Sequence, residues 1–392
     1  MRILHTSDWH LGRSFHGEDL LVAQAAFVDH LLETVELASV DLVVLAGDVY
    51  DRALPPVDAV ALADEAFTRL ASSRARLMVT SGNHDSARRL GFNARLVDHA
   101  GVHLRTDPSS VGTPVMLADE HGPVAVYGVP YLEPDVVRLG WGLSSRSHEA
   151  VTAHALGRVR DDLSARPRTT RSVVVAHAFV SGGVPSESER DISVGGVSVV
   201  PLELFDGFTY VALGHLHGRA RLAEAVRYSG SPLAYSFSES DHVKGSWLVD
   251  LDAAGVAATE FVEAPVPRPL VRLSGTLESL LSSPRHAAHE RSWVEVTLTD
   301  VERPRQPMQR LQARFPHALS LRFAPAGGAV ERPRTPTAGR SAHQISLDFV
   351  EHVRGSAATP AESALLRTAL ECCPEDTDLA AEHRAEAAAA AR

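Results

Sequence analysis

Cysteine is nearly absent from the chain: its only two, Cys372 and Cys373, are adjacent. Neighbouring thiols cannot staple a fold of this length, so a disulfide scaffold is excluded and a reducing compartment, the cytoplasm by default, is expected. Lysine is scarcer still. Lys244 stands alone among arginines, a bias from which no function follows. No apolar run approaches the roughly 20 residues that span a bilayer. The opening Met1-Arg2-Ile3-Leu4-His5 meets polar residues too early for a signal-peptide core, so neither membrane insertion nor secretion is expected. The phosphate loop Gly-x-x-x-x-Gly-Lys-(Ser/Thr) is missing, so any ATP dependence must come from another chain. Positive charge is also short. A formal net charge of −11 argues against a globally basic, nucleic-acid-coating surface, while leaving room for a local basic groove. Carboxylates that bind cations count toward that total.

What is present is the composition of a globular protein. The chain has 392 residues, 44% hydrophobic and 22% charged, which suits two or three domains each with a substantial core. From residue 1 to about 263, short apolar runs alternate with segments of helical period, the pattern of an α/β or α+β layered domain. Phe27, Leu31, Leu32, Val35 and Ala38 predict a helix packed on a sheet. A second helix is expected from Pro56 to about Ala71 and a third from Ala87 to His99. The turn Asp252-Ala253-Ala254-Gly255 reads as a hairpin that closes this domain. A smaller α/β domain follows at 270–324, then a Pro/Gly/Arg-rich linker at 325–343. Short amphipathic helices at 344–373 suggest docking on a partner, and the tail at 374–392 is of low complexity.

Five apolar runs end on side chains able to bind metal. Arg2 to Leu4 leads to Asp8 and His10, Asp41 to Ala46 to Gly47-Asp48, and Arg76 to Val79 to Gly82-Asn83-His84-Asp85. Ser172 to Ala176 leads to His177, and Thr209 to Leu213 to Gly214-His215-Leu216-His217. Ligands bind at the carboxyl ends of strands in open sheets, so five such ends can share one site. The Asp-x-His and His-x-His spacings put both members of each pair on one side of an extended strand end. Carboxylate, imidazole and amide together favour Mn²⁺, Fe²⁺ or Zn²⁺ over Ca²⁺, and the lack of cysteine disfavours structural zinc. Each piece alone is weak, since a lone Gly-Asp is usually a turn and a lone His usually structural. Their joint order is the signal.

These motifs resemble the calcineurin-like metallophosphoesterase superfamily, whose D-x-H, G-D, G-N-H-(D/E), H and G-H-x-H are present without substitution. Residues 3–13, 46–51, 177–190, 228–232 and 236–239 more closely resemble SbcD-type nuclease subunits of bacterial DNA-repair complexes, over roughly residues 1–325. The resemblance implies a sheet sandwich flanked by helices, plus a capping domain that positions DNA and C-terminal helices. It implies that Asp8, His10, Asp48 and His217 hold one metal, Mn²⁺ before the alternatives Mg²⁺, Fe²⁺ or Zn²⁺. Asp48, Asn83, His177 and His215 would hold the other, Asp48 bridging. His84 would serve as acid toward the leaving oxygen, and Asp85 would orient it or else cap the helix at Ala87. Arg13, Arg52, Arg88, Arg89 and Arg190 are candidates for DNA-phosphate contact. The implied activity is that of a DNA exo- and endonuclease in repair, recombination and replication, in the cytoplasm at the nucleoid. Its implied partners are DNA, an SbcC-type coiled-coil ABC ATPase and a second copy of the chain, a homodimer within a heterotetramer. The rival on the same metal set is a phosphatase or cyclic-nucleotide phosphodiesterase; a non-enzymatic scaffold is disfavoured by the intact ligands.

Overall fold

The computed structural model describes residues 1–190, 199–325 and 341–372. The chain divides into two compact units. The first holds Met1–Arg272 with Arg291–Trp293, and the second holds Leu273–Glu290 and the described residues from Val294 on.

The first unit is built on β1 (Arg2–Thr6), β2 (Leu42–Ala46), β3 (Arg76–Thr80), β4 (Arg171–His177) and β5 (Tyr210–Gly214). One six-stranded sheet runs Val256–Glu263, Gly245–Leu251, β1, β2, β3, Val102–Arg105. Its last four strands are parallel, and Gly245–Leu251 pairs antiparallel with β1. The other runs Ala220–Arg221, Val226–Tyr228, β5, β4, Gly122–Val129, Val115–Asp119. There β5 lies parallel to β4, and β4 parallel to Gly122–Val129.

A strand buried on both faces needs apolar residues at every position rather than at alternate ones, which is why Leu42-Val43-Val44-Leu45-Ala46 reads as a continuous run. Ile3, Leu42, Val44, Ala46 and Met78 of the first sheet pack against Val124, Val126, Val173, Val175 and Ala212 of the second. The alternate residues Leu4, Val43, Leu45, Leu77 and Val79 face away, onto α1 (Leu21–Leu37) and α2 (Val57–Ala71). On the outer face of the second sheet, Ala125, Val174 and Val211 meet Val151, Ala155 and Val159 of the helix His148–Ser164. The unit is thus a helix–sheet–sheet–helix sandwich.

The helix expected from Ala87 to His99 is broken. Ala87–Leu90 and Ala94–Val97 are separate turns, followed by a 3₁₀ turn at Asp98–Ala100. Asn93 takes the left-handed conformation at φ 61°, which interrupts the helix although Leu90, Ala94 and Val97 still reach the core. The hairpin at Asp252 is present, with Asp252 N–H donating to the Gly255 carbonyl at 2.9 Å.

The second unit holds most of a sheet ordered Leu270–Gly275, Trp293–Leu298, Ala318–Phe323, whose last two strands are parallel. Leu277 and Leu280 from one short helix and Leu311 from another are buried there with Val294, Val296 and Phe315. The helices Ala342–Arg354 and Pro360–Cys372 are joined by an Arg354–Glu362 ion pair at 2.7 Å. Most of the segment read as a linker, and the tail at 374–392, lie outside the described residues. Among the described residues no helix is long and apolar enough to cross a membrane.

One ion pair pins the end of the second sheet. Arg171, 4% exposed at the start of β4, donates to both carboxylate oxygens of Asp119 and to the Gly122 carbonyl. The guanidinium, opposed by partial burial, holds the Asp119 carboxyl below the usual carboxylate range. The stabilisation is therefore whole above the unfolded pKa of about 4 and fades as pH falls toward the lower folded value. Asp119→Asn should lower the thermal midpoint by a few degrees at pH 7, with the gap to the parent closing below about pH 4. A gap that does not change with pH in melting curves would assign the effect to packing instead.

Candidate metal centre

The carboxyl ends of β1, β2, β3, β4 and β5 converge on one place. The two sheets approach so closely there that a Cβ on Gly214 would lie 1.8 Å from the Ala46 carbonyl oxygen. The loops after β1 and β2 are zipped together: Asp8 N–H donates to the Gly47 carbonyl at 3.1 Å, and His10 N–H to that of Asp48 at 3.0 Å. Asp8, His10, Asp48 and His215 all have positive φ, at 53°, 45°, 50° and 110°. Each such non-glycine conformation costs on the order of 1–3 kcal/mol and persists only where its surroundings enforce it. Here it turns the side chains inward.

Asp8, His10, Asp48, His177, His215 and His217 are all buried. Among the described residues, three groups of side-chain atoms lie close enough to hold an ion: Asp8 with His10 and His217, Asp8 with Asp48 and His177, and His10 with Asp48 and His84. Asp48 is central. Its Oδ2 lies 3.6 Å from His10 Nε2 and 3.5 Å from His177 Nε2, while its Oδ1 accepts the His84 N–H at 2.8 Å. Asn83 Oδ1 faces His177 Nε2 at 2.9 Å and His215 Nδ1 at 3.1 Å. His215 joins the cluster through Asn83 and through its N–H, which donates to Asp8 Oδ1 at 3.0 Å.

The donor set fits a cation. His177 Nδ1 must donate to the Ala46 carbonyl at 2.9 Å, which leaves its Nε2 a lone pair aimed at the Asn83 and Asp48 oxygens. Acceptor turned on acceptor in a dry site is what a shared positive charge satisfies. His10 Nδ1 and Asn83 Nδ2 are buried without a hydrogen-bond partner. Burial pushes Asp8 and Asp48 above the usual carboxylate range and holds His10, His177 and His215 below the usual imidazole range. The imidazoles are therefore neutral and ready to ligate. An ion left unpaired in such a site costs several kcal/mol, so a bound cation relieves the two carboxylates.

His84 sits beside this cluster. Its Nδ1 donates to the Asp51 carbonyl at 2.7 Å, and its ring meets that of His10 edge-on, centroids 4.7 Å apart. Asp85 does neither of the things expected of it. Its two oxygens accept the backbone N–H groups of Gly82, Val49 and Tyr50 at 2.9, 3.1 and 2.9 Å, so it ties the loop after β3 to the loop after β2. The N-cap residue before Ala87 is Ser86.

A cleft of about 430 Å³ opens next to His84, lined by Arg13, Ser14, Asp51, Arg52 and Arg190. Arg13 is held by Asp51 at 3.6 Å and by the Ser188 carbonyl at 3.0 Å, and Arg190 donates to the Asn83 carbonyl at 3.3 Å. Arg88 and Arg89 lie exposed on the turn Ala87–Leu90, where Arg89 donates to the Ala53 carbonyl. Residues the sequence reading left without a role also converge here: Ser188, Glu189, Glu239 and Lys244 surround His217. The signal that could have found Lys244 is its being the one lysine of the chain.

Two glycines test this packing. A Cβ on Gly47, where φ is 83°, would lie 2.2 Å from His177 Nδ1, whereas Gly17, at φ 90°, faces open space. Gly47→Ala should break the His177–Ala46 bond and weaken Mn²⁺ binding by at least about tenfold in calorimetric titration, and Gly17→Ala should leave it unchanged. Parental affinity in Gly47→Ala would contradict the placement of His177.

Residues 1–219 match the family model described as calcineurin-like phosphoesterase, more than half of the chain. Residues 266–349 match the SbcD_C model, described as a type 5 capsule protein repressor C-terminal domain. Solved structures similar to this chain include TT1561 of Thermus thermophilus, at 16% identity, covering 66% of this chain and 98% of that one with a TM-score of 0.39. Another is GAP50, described as the anchor in the inner membrane complex of Plasmodium, at 12% identity, 84% and 98% coverage and a TM-score of 0.40. The chain belongs to the calcineurin-like phosphoesterase family, hydrolases of phosphoesters that use divalent metals.

Proposed function

We propose that the chain is a metal-dependent DNA nuclease, an exo- and endonuclease that acts with an SbcC-type ATPase in repair and recombination. The observation that carries this reading is the Asp48 carboxylate, set between His10 and His177 beside an arginine-lined cleft. Asp8, His10, Asp48 and His217 would hold one cation, and Asp48, Asn83, His177 and His215 the other. Mn²⁺ suits this mixed oxygen and nitrogen set. When bound, the pair supplies Lewis acidity toward the phosphate and activates water.

The protein's own residues then position and transfer. Arg13, Arg52 and Arg190 in the cleft are suited to phosphate oxygens, contacts that hold a DNA backbone without reading its bases. With Nδ1 committed to the Asp51 carbonyl, the His84 ring carries a proton on Nε2 only as imidazolium. In that form it can hand the proton to the leaving oxygen and return as a neutral ring. The SbcD_C match over 266–349 favours the nuclease over a phosphatase or a cyclic-nucleotide phosphodiesterase.

Two partner surfaces belong to the same proposal. Phe349, Val353 and Leu365, at 64%, 61% and 70% exposure, give the C-terminal helices an apolar face suited to the ATPase's coiled coil. Val57, Phe92 and Leu96, at 83%, 73% and 69%, offer a face to a second copy of the chain.

Assays on blunt-ended and hairpin DNA with Mn²⁺ or Mg²⁺, with and without the ATPase, test the activity. Asp48→Ala should abolish both cleavage and tight metal binding, while His84→Gln should keep both metals and lose about 10²- to 10⁴-fold in rate. Cleavage of phosphomonoesters or cyclic nucleotides but not DNA would favour the rival reading, and lost metal occupancy in His84→Gln would make His84 a ligand.

A further inference from the structure

Three of the four polar atoms of His217 are held by residues outside the metal cluster. Its N–H donates to Glu189 Oε1 at 2.8 Å, its carbonyl accepts from Lys244 Nζ at 2.8 Å, and its Nδ1 meets Ser188 Oγ at 2.5 Å. Glu239 Oε1 stands 3.4 Å from the same Nδ1. Only Nε2 is left, 3.1 Å from His10 Nε2 and within the group formed with Asp8.

The direction of the hydrogen bonds follows from proton counting. Lys244 Nζ lies 2.5 Å from Glu239 Oε2, an ion pair in which both partners are buried, so the Glu239 carboxylate is ionised and can only accept. The single hydroxyl proton of Ser188 goes to Glu239 Oε1, which leaves an oxygen lone pair toward His217 Nδ1. Both neighbours of Nδ1 are then acceptors, so Nδ1 must carry a proton, and in the neutral ring that ligates a metal Nε2 presents its lone pair.

We propose that Ser188, Glu239 and Lys244 form a positioning relay that locks His217 in its Nδ1–H tautomer and aims Nε2 at a divalent cation. This rests on the reading of His217 as a metal ligand. It also accounts for the only lysine of an arginine-rich chain. Lys244 Nζ donates to three separate acceptors, the His217 carbonyl, Ser231 Oγ at 3.0 Å and Glu239 Oε2, in a site where it is 5% exposed. A compact ammonium satisfies three convergent acceptors, whereas a planar guanidinium directs its donors outward in a fork. Ser186 and Glu189 extend the relay: Ser186 Oγ donates to Glu189 Oε2 at 2.6 Å, so the segment from Ser186 to Glu189 is fastened to His217 at both backbone and ring.

The test uses the full chain. Nitrogen-15 spectra of the metal-free protein report the His217 tautomer, and Mn²⁺ calorimetry reports each site. Glu239→Gln should populate the Nε2–H form. Glu239→Gln, Ser188→Ala and Lys244→Arg should each weaken one of the two Mn²⁺ sites by about 10- to 100-fold, the usual effect of losing a ligand's outer partner. Ser188→Thr, which keeps the hydroxyl, should bind as the parent does. If Glu239→Gln fails to fold, the Ser188→Ala and Ser188→Thr pair decides alone. Parental Mn²⁺ affinity in Ser188→Ala and Lys244→Arg, with His217→Ala losing a site, would overturn the relay while sparing the ligand assignment. Two undisturbed Mn²⁺ sites in His217→Ala would overturn both.

Discussion

Two carboxylates, Asp8 and Asp48, are held without access to water among neutral imidazoles, and the site depends on satisfying them. Each is at most 2% exposed, and burial opposes its charge. Protonation would satisfy them at the expense of ligation, and an arginine reaching in would fill the space. The divalent metals that this family uses would satisfy them and give the imidazole lone pairs and Asn83 Oδ1 something to bind. The strained backbone at Asp8, His10, Asp48 and His215 fits such a role, since conformations of this kind cluster at functional sites, where the surrounding structure enforces them.

The sandwich makes the convergence possible. Parallel strands in both sheets send their carboxyl ends the same way, and small residues at the seam let the sheets meet, with Gly214 against Ala46 and Gly47 under the His177 ring. A methyl group at either seam glycine would part the ligands of one sheet from those of the other. The cleft at His84 lies on the rim of this seam, where Arg13 and Arg190 are braced by the Ser188 and Asn83 carbonyls rather than left free.

Much of this is legible in the sequence, for reasons of locality. A doubly buried strand writes itself as an unbroken apolar run, as in Leu42 to Ala46, and its end is marked by the first polar residues, Gly47-Asp48. Asp8, His10, Asn83, His177, His215 and His217 therefore stand out as strand ends, and the structure brings them together. What is not legible depends on contacts between distant residues. Ser188 and Glu239 are 29 and 22 positions from His217, and no periodicity links them. Asp85 reads as a partner for the adjacent His84, but its backbone donors at Val49 and Tyr50 lie 36 and 35 positions away. The break in the helix after Leu90 escapes the pattern because the apolar spacing of Leu90, Ala94 and Val97 survives an interruption at Gly91 and Asn93.

The central claim is that one carboxylate joins two cations across the seam of the two sheets. Anomalous diffraction at the manganese edge from crystals grown with Mn²⁺ tests it directly. Two peaks about 3.5 to 4 Å apart are expected with Asp48 between them, one bounded by Asp8, His10 and His217 and the other by Asn83, His177 and His215. A single peak, or two peaks that do not share Asp48, would contradict it.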